Sequence, residues 1–183
     1  MQTTRVGVIG CGNISPSYLS AGDRFDVLEI VACADLDIDR AKARAEEFSV
    51  PRACTVDELL AVDEIEIVVN LTIPGAHAEV AIAALEAGKH TYAEKPFAVS
   101  RAEGAPVVQL AAEKGLLIGC APDTFMGASI QTARKVLDDG WIGEPIGCNA
   151  HMMCHGHEHW HPDPEFYYKA GGGPMFDMGP YYL

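Results

Sequence analysis

The sequence predicts an α/β fold with a doubly wound parallel sheet, and three observations carry the prediction. Short apolar runs rich in Val, Ile and Ala alternate with amphipathic or alanine-rich stretches of helical length. The first of these runs stops at a glycine turn. The polar residues with chemical promise fall just after the apolar runs rather than within them. Strands alternating with helices at this spacing build right-handed βαβ units, and the ligand crevice of such a sheet lies beyond the strand C-termini.

Residues 6–9 form the first expected strand, which ends at Gly10-Cys11-Gly12-Asn13-Ile14-Ser15; Tyr18, Leu19 and Ala21 then indicate a helix. In a dinucleotide-binding turn the first glycine permits the bend. The second lets the backbone approach a pyrophosphate, whose charge sits on the helix N-terminus. Ser15 stands where a third glycine is usual and is small enough for close packing of helix on strand. The next strand, Leu28–Ala34, runs into Asp35. A carboxylate there accepts both ribose hydroxyls of an adenosine and repels a 2′-phosphate, which favours NAD over NADP. Asp37 is the better candidate to cap the helix carrying Ala41, Ala45 and Phe48.

Further on, a short strand is expected over 52–55, a short helix over 56–61, a buried strand over 65–70, and an alanine-rich helix over 75–87 closed by Gly88. The strand His90–Ala93 leads into Glu94-Lys95-Pro96-Phe97. A lysine in a dry pocket titrates nearer neutrality than usual and serves as an acid or base, and the proline after it fixes the turn that aims it. A helix over Arg101–Lys114 and a strand over 116–120 complete a domain of ordinary size. Gly10, Asp35, the turn of Leu71, Thr72, Ile73 and Pro74, and Glu94-Lys95 all fall at strand C-terminal ends. The candidate cofactor-binding residues are therefore Gly10, Cys11, Gly12, Asn13, Ile14, Asp35, Thr72, Ile73, Pro74, His77, Glu94, Lys95 and Pro96. His77 is expected to order its turn by hydrogen bonding to backbone, and His90 to be structural.

The predicted division is a dinucleotide domain over 1–122 and the start of a second domain over 123–183. In the latter, Ile130, Ala133, Val136 and Leu137 share one helix face, a strand is expected over 146–153, and a new helix is expected with Asp177 near its start and Pro180 in its first turn. Asp177 and Tyr181 are four apart, so on a helix a carboxylate and a phenol meet one substrate. His151, Cys154, His155, His157, His159 and His161 include many metal-ligand types, and zinc is one reading. Gly156, Pro162 and Pro164 break up regular structure, however, and no metal site is assigned. The preferred reading is a polar, aromatic loop over a sugar-sized site, with Trp160 stacking on a pyranose face and His161 among its hydrogen-bonding groups. A purely structural loop is the alternative.

The chain has 183 residues and a formal charge of −13. That charge, without any basic stripe, argues against a nucleic-acid or anionic-membrane partner. Six scattered cysteines without a CxxC pair fit a reducing cytoplasm. The N-terminal residues read straight into a strand rather than as a signal peptide, and no apolar run reaches the length of a membrane span.

As a whole the pattern resembles the glucose-fructose oxidoreductase / inositol dehydrogenase (Gfo/Idh/MocA) family. The resemblance rests on Gly10-Cys11-Gly12-Asn13-Ile14, Asp35, Pro74 with His77, Ala87-Gly88-Lys89-His90, Glu94-Lys95-Pro96, residues 140–144, and Gly171-Gly172-Gly173 followed by Asp177-Met178-Gly179-Pro180-Tyr181. It implies an N-terminal Rossmann domain for NAD(P) and a C-terminal, mostly antiparallel α+β sheet domain that binds a sugar or polyol and builds homo-oligomers. It also implies that Lys95 and Asp177 are catalytic, with Tyr181 in the place where most members have histidine, and that Lys95-Pro96 is a candidate cis peptide. Tyrosine at that place is similar to the branch containing glucose-fructose oxidoreductase and dihydrodiol dehydrogenase, and it still relays a proton. A complete second domain needs roughly another hundred residues, so the chain is expected to be a fragment or truncated form. An NAD-binding sensor without turnover and an enzyme that uses transient oxidation for elimination or glycoside cleavage are the competing readings.

Overall fold

A computed structural model of the chain describes residues 3–182. Two compact units are present, one ending at Cys120 and the other beginning at Ala121.

The N-terminal unit is a six-stranded, wholly parallel sheet in the order β3-β2-β1-β4-β5-β6. Its strands are β1 (Thr4–Ile9), β2 (Leu28–Ala34), β3 (Ala53–Cys54), β4 (Ile67–Asn70), β5 (His90–Ala93) and β6 (Ile118–Cys120). The order reverses direction at β1, so the crevice of this sheet opens between the C-terminal ends of β1 and β4. Val8, Ile9, Ala32, Cys33, Ala34 and Val68 are fully buried, as expected for strands covered on both faces.

The helices are α1 (Ser15–Leu19), α2 (Ile38–Glu47), α3 (Val56–Leu60), α4 (His77–Glu86) and α5 (Arg101–Lys114). Local chemistry sets their ends. Asp37 caps α2 by accepting from the backbone N–H groups of Asp39 and Arg40 at 3.1 and 3.3 Å, as the sequence suggested. Thr55 and Glu58 close a capping box on α3. Ser100 caps α5, and Gly115 ends it in a left-handed conformation. The helix expected over 75–87 divides into a 3₁₀ turn, Pro74–Ala76, followed by α4.

Two layers pack on the sheet. Leu59, Ile65 and Ala84 lie in one cluster with Ile9 and Val68, while Leu19, Ala41 and Val50 join Val6, Val8 and Cys33 in another. Lys89 is only 4 % exposed, yet it is not an unpaired buried charge, since its Nζ donates to the Val62 and Ile65 carbonyls at 2.7 and 3.1 Å.

The C-terminal unit departs from expectation. Its helix α6 (Ala128–Asp138) forms where the apolar face predicted it. The strand expected over 146–153 does not, and the described residues of this unit contain no strand and hence no antiparallel sheet. An extended segment needs a hydrogen-bonded neighbour to persist, and Ile146 and Met153 are fully or nearly fully exposed. The last helix also begins earlier than expected. A π-helical turn spans Pro174–Met178 and a 3₁₀ turn Gly179–Tyr181, so Asp177 lies near the end of the first turn and Pro180 in the second. Pro180 has no N–H to continue an α-helical ladder, which accounts for the change of winding.

Candidate active site

At the C-terminal end of β1 the chain turns at Gly10, whose φ of +101° only glycine adopts readily, and whose N–H donates to the Ala34 carbonyl at 2.8 Å. Cys11 is buried beneath this turn. A hydrogen bond with the Cys33 thiol, then burial, holds the Cys11 thiol protonated well beyond its ordinary range. It is therefore a packing residue, and the turn presents backbone. Ser15, wholly buried, donates its hydroxyl to the Gly12 carbonyl at 2.8 Å and closes the entry to α1. Asn13 and Ile14 stand exposed on the rim.

Asp35 follows β2. One carboxylate oxygen accepts the Cys11 N–H at 2.8 Å; the other accepts the Asp37 N–H at 2.9 Å and lies 3.3 Å from an Arg40 nitrogen. The carboxylate thereby braces the glycine turn. A cleft of about 390 Å³ opens beside it, lined by Cys11, Gly12, Asn13, Arg40, Ala43 and Arg44. Sequence reasoning passed over both arginines; their one-turn spacing on α2, directly after Asp35, was the available signal.

The turn after β4 is built by side chains. Asn70, fully buried, accepts the Thr72 N–H and hydroxyl at 3.2 and 2.7 Å and donates to the His77 carbonyl at 3.0 Å. The backbone bonding expected of His77 is present on both sides of its ring: Nδ1 lies 2.6 Å from the Pro96 carbonyl oxygen and Nε2 lies 2.9 Å from that of Thr72. His77 is 1 % exposed, so it ties the β4 turn to the β5 turn from beneath. Thr72 and Pro74 are half-buried, and Ile73 projects outward.

After β5, the Glu94 carboxylate accepts the Tyr18 hydroxyl at 2.6 Å and the Lys95 N–H at 3.1 Å. The Lys95-Pro96 peptide is cis. Lys95 is half-buried, and its main chain is held from both sides, by Glu94 and by the His77 bond to Pro96. Tyr18, from the far side of the glycine turn, has no sequence signature for this role.

The remaining candidates belong to the C-terminal unit. The Asp177 carboxylate lies 3.2 Å from His157 Nε2. His157, 5 % exposed, is enclosed by the rings of Trp160, Phe166 and Tyr167. The Tyr181 carbonyl accepts the Thr124 hydroxyl at 2.7 Å. Trp160 leans on His157 and His161 at ring-centre distances of 5.0 and 5.3 Å, with much of its face exposed. Sequence reasoning grouped His157 with its neighbours and did not connect it with Asp177. Among the described residues no three His, Cys, Asp or Glu side chains converge to hold a metal ion, and no helix is long and apolar enough to cross a membrane.

Comparison with known proteins decides the family. A profile described as an oxidoreductase family with an NAD-binding Rossmann fold (GFO_IDH_MocA) matches residues 4–121, and one for the GFO/IDH/MocA C-terminal domain matches residues 130–183. The chain belongs to the GFO/IDH/MocA oxidoreductase family. Its N-terminal unit is that family's NAD-binding Rossmann domain. Similar curated relatives include dTDP-3,4-didehydro-2,6-dideoxy-α-D-glucose 3-reductase of Actinomadura kijaniata, 34% identical over 97% of this chain and 53% of that protein. Another is inositol 2-dehydrogenase of Salmonella typhimurium, 29% identical over 85% of this chain and 46% of that protein. Among solved structures, a 3-ketoreductase from Actinomadura kijaniata in complex with NADP and TDP-benzene aligns with a TM-score of 0.71 at 34% identity, covering 78% of this chain and 44% of that one. The chain spans about half the length of the curated relatives it matches.

Proposed function

We propose that the protein to which this chain belongs is a nicotinamide-dependent oxidoreductase acting on a hydroxyl or ketone of a sugar, nucleotide-sugar or polyol. The observation that carries the reading is the gathering of the glycine turn, Asp35 and Lys95 on the C-terminal ends of β1, β2 and β5 in one parallel sheet. The residues present fit the cofactor. Space over Gly12 is open, since an added Cβ would meet nothing within 4 Å, and Asp35 lies beside the same turn. Gly12 would admit the pyrophosphate, and Asp35 would accept the adenosine ribose hydroxyls. When bound, the nicotinamide supplies the hydride chemistry.

The chain's own residues then divide the remaining work. Lys95, on a turn fixed by Glu94 and His77, holds the reacting oxygen and moves its proton. The family resemblance adds Asp177, which is paired with His157, and Tyr181 as further catalytic candidates. The dehydrogenase and reductases among the relatives act on sugar-type compounds by their names, which supports that substrate class here. Trp160 and His161 are the aromatic and polar surface offered to a sugar ring. A homo-oligomer accords with the family resemblance.

Lys95→Ala in the full-length protein tests the assignment. Turnover on a panel of inositols, hexoses and nucleotide-sugars should fall by about 10²–10⁴-fold, the ordinary worth of a positioned acid–base group, while dinucleotide affinity stays within a few fold. Unchanged turnover would refute the role of Lys95. Dinucleotide binding with no redox turnover on any member of the panel would favour a sensor.

A further inference from the structure

Two turns on the rim of the sheet start from one level but not from neighbouring strands. Ile9 is level with Asn70 on β4, and Asn70 with Ala93 on β5, so Gly10 and Glu94 leave their strands at one height with β4 between them. Two strand spacings amount to roughly 10 Å. The ladder fixes the strand ends, and the loops beyond them are left for side chains to fix.

Tyr18 bridges that gap. It stands on α1, which follows the glycine turn, and its ring packs on the cluster containing Val8, Cys11, Leu19 and Leu71. Its hydroxyl donates to one oxygen of the Glu94 carboxylate at 2.6 Å, the length of a charge-assisted bond, and the other oxygen accepts the Lys95 N–H at 3.1 Å. Both oxygens of Glu94 are thus engaged in joining α1 to the lysine turn. Without the phenol, the carboxylate keeps of these two bonds only the one to its own neighbour.

We propose that Tyr18 is a positioning residue for Lys95: acting through the Glu94 carboxylate, its hydroxyl holds the lysine turn in register with the turn that faces the dinucleotide. This rests on the roles given above to Lys95 and the glycine turn, and adds the residue that sets one against the other. Lys95 and the dinucleotide must address the same carbon–oxygen group of a substrate. A displacement of about 1 Å between them is enough to cost on the order of 10²-fold in rate.

Tyr18→Phe, Glu94→Ala and the double variant of the full-length protein test the proposal through two readouts. Amide hydrogen exchange at Lys95, followed by mass spectrometry with no substrate present, should quicken about tenfold in Tyr18→Phe while the amides of β1 and β4 keep their wild-type rates. Steady-state kinetics on the best substrate among inositols, hexoses and nucleotide-sugars should show kcat lowered about 10–100-fold, with KM and NAD affinity within about threefold. Adding Tyr18→Phe to Glu94→Ala should change kcat by less than about twofold, since the path from Tyr18 to Lys95 is already cut. In Tyr18→Phe, a kcat within about twofold of wild type or unchanged exchange at Lys95 would overturn the proposal. So would losses that multiply in the double variant, which would mean that Tyr18 acts without Glu94, and so would a fall in NAD affinity as large as that in kcat, the mark of a loosened glycine turn. A wild-type protein that binds NAD but turns over no compound of the panel would bring down the role of Lys95 itself, and the positioning role with it.

Discussion

Gly10 and Gly12 lie two residues apart in one turn, and the geometry assigns them opposite kinds of necessity. A Cβ on Gly10 would lie 2.6 Å from the Leu71 carbonyl oxygen, 2.7 Å from its carbon and 3.0 Å from the Thr72 nitrogen. All three are backbone atoms of the β4 turn. That turn cannot retreat, because the Leu71 N–H is bonded to the Ile9 carbonyl at 2.8 Å and Gly10 itself to Ala34 at the same distance. Gly10→Ala thus incurs about 1–3 kcal/mol for a side chain at φ +101° and about 1–3 kcal/mol for overpacking. The expected loss of roughly 2–6 kcal/mol is a large share of the roughly 5–15 kcal/mol that holds a typical domain. Gly12 has open space instead, so Gly12→Ala should change unfolding free energy by no more than about 0.5 kcal/mol. Its cost should appear only with ligand, as at least a tenfold weaker affinity for NAD, because under the proposed reading the methyl occupies the line of approach of the pyrophosphate. Urea unfolding and calorimetric titration of both variants measure the two effects. Wild-type NAD affinity in Gly12→Ala and in the bulkier Gly12→Val would refute the placement of the pyrophosphate. Wild-type stability in Gly10→Ala would refute the packing argument.

Three further outcomes follow from buried groups. His77→Phe keeps an aromatic ring but removes the ring N–H donor from between the Pro96 and Thr72 carbonyls, and should cost about 1–3 kcal/mol in urea unfolding; a loss below about 0.5 kcal/mol would contradict the brace. Burial pulls the Lys89 ammonium below its ordinary 10.5, so between its folded pKa and 10.5 the unfolded chain holds a proton that the folded one has released. The stability of the wild type relative to Lys89→Met should therefore rise with pH across that window, and a flat or falling difference in parallel unfolding curves would show that the lysine is not desolvated. In the full-length protein, His157→Phe should lower kcat at least tenfold by releasing Asp177, while His157→Gln, which retains an N–H to donate, should recover most of it; equal kcat for His157→Phe and wild type would detach His157 from the reaction.

Strands β2 and β5 and helix α5 were legible to the residue. In β2 and α5 the signals are local, a run apolar but for Glu29 in the one and a serine cap with a glycine stop in the other. The loops that end each strand were legible as places but not as mechanisms. Tyr18 reaches Glu94 across 76 residues of sequence, and His77 joins two turns whose proximity exists only once β4 and β5 pair. Arg40 and Arg44 read as the solvated face of an amphipathic helix until the glycine turn is placed against that face. In the C-terminal unit the alternation over 146–153 was a sound strand signal, but a strand is a property of a pair. Alternation names the face that would be buried and says nothing of whether a neighbour is there to bury it.

The rim of the sheet shows how this fold separates rigidity from chemistry. A parallel sheet brings every strand to its C-terminal edge at the same level, so each loop meets its neighbours without needing any of them to be continuous in sequence. The residues that lock those loops together face inward: Asn70, His77, Ser15 and the backbone of Gly10 are all buried, and each is satisfied by a bond to another part of the same rim. The backbone of Gly12, proposed above to face a ligand, is held by these locks rather than forming part of them. Substitution at the locks should therefore cost stability first and binding second, and substitution at Gly12 the reverse. The Gly10 and Gly12 variants apply that rule within a single turn, where the same added methyl group should give opposite results.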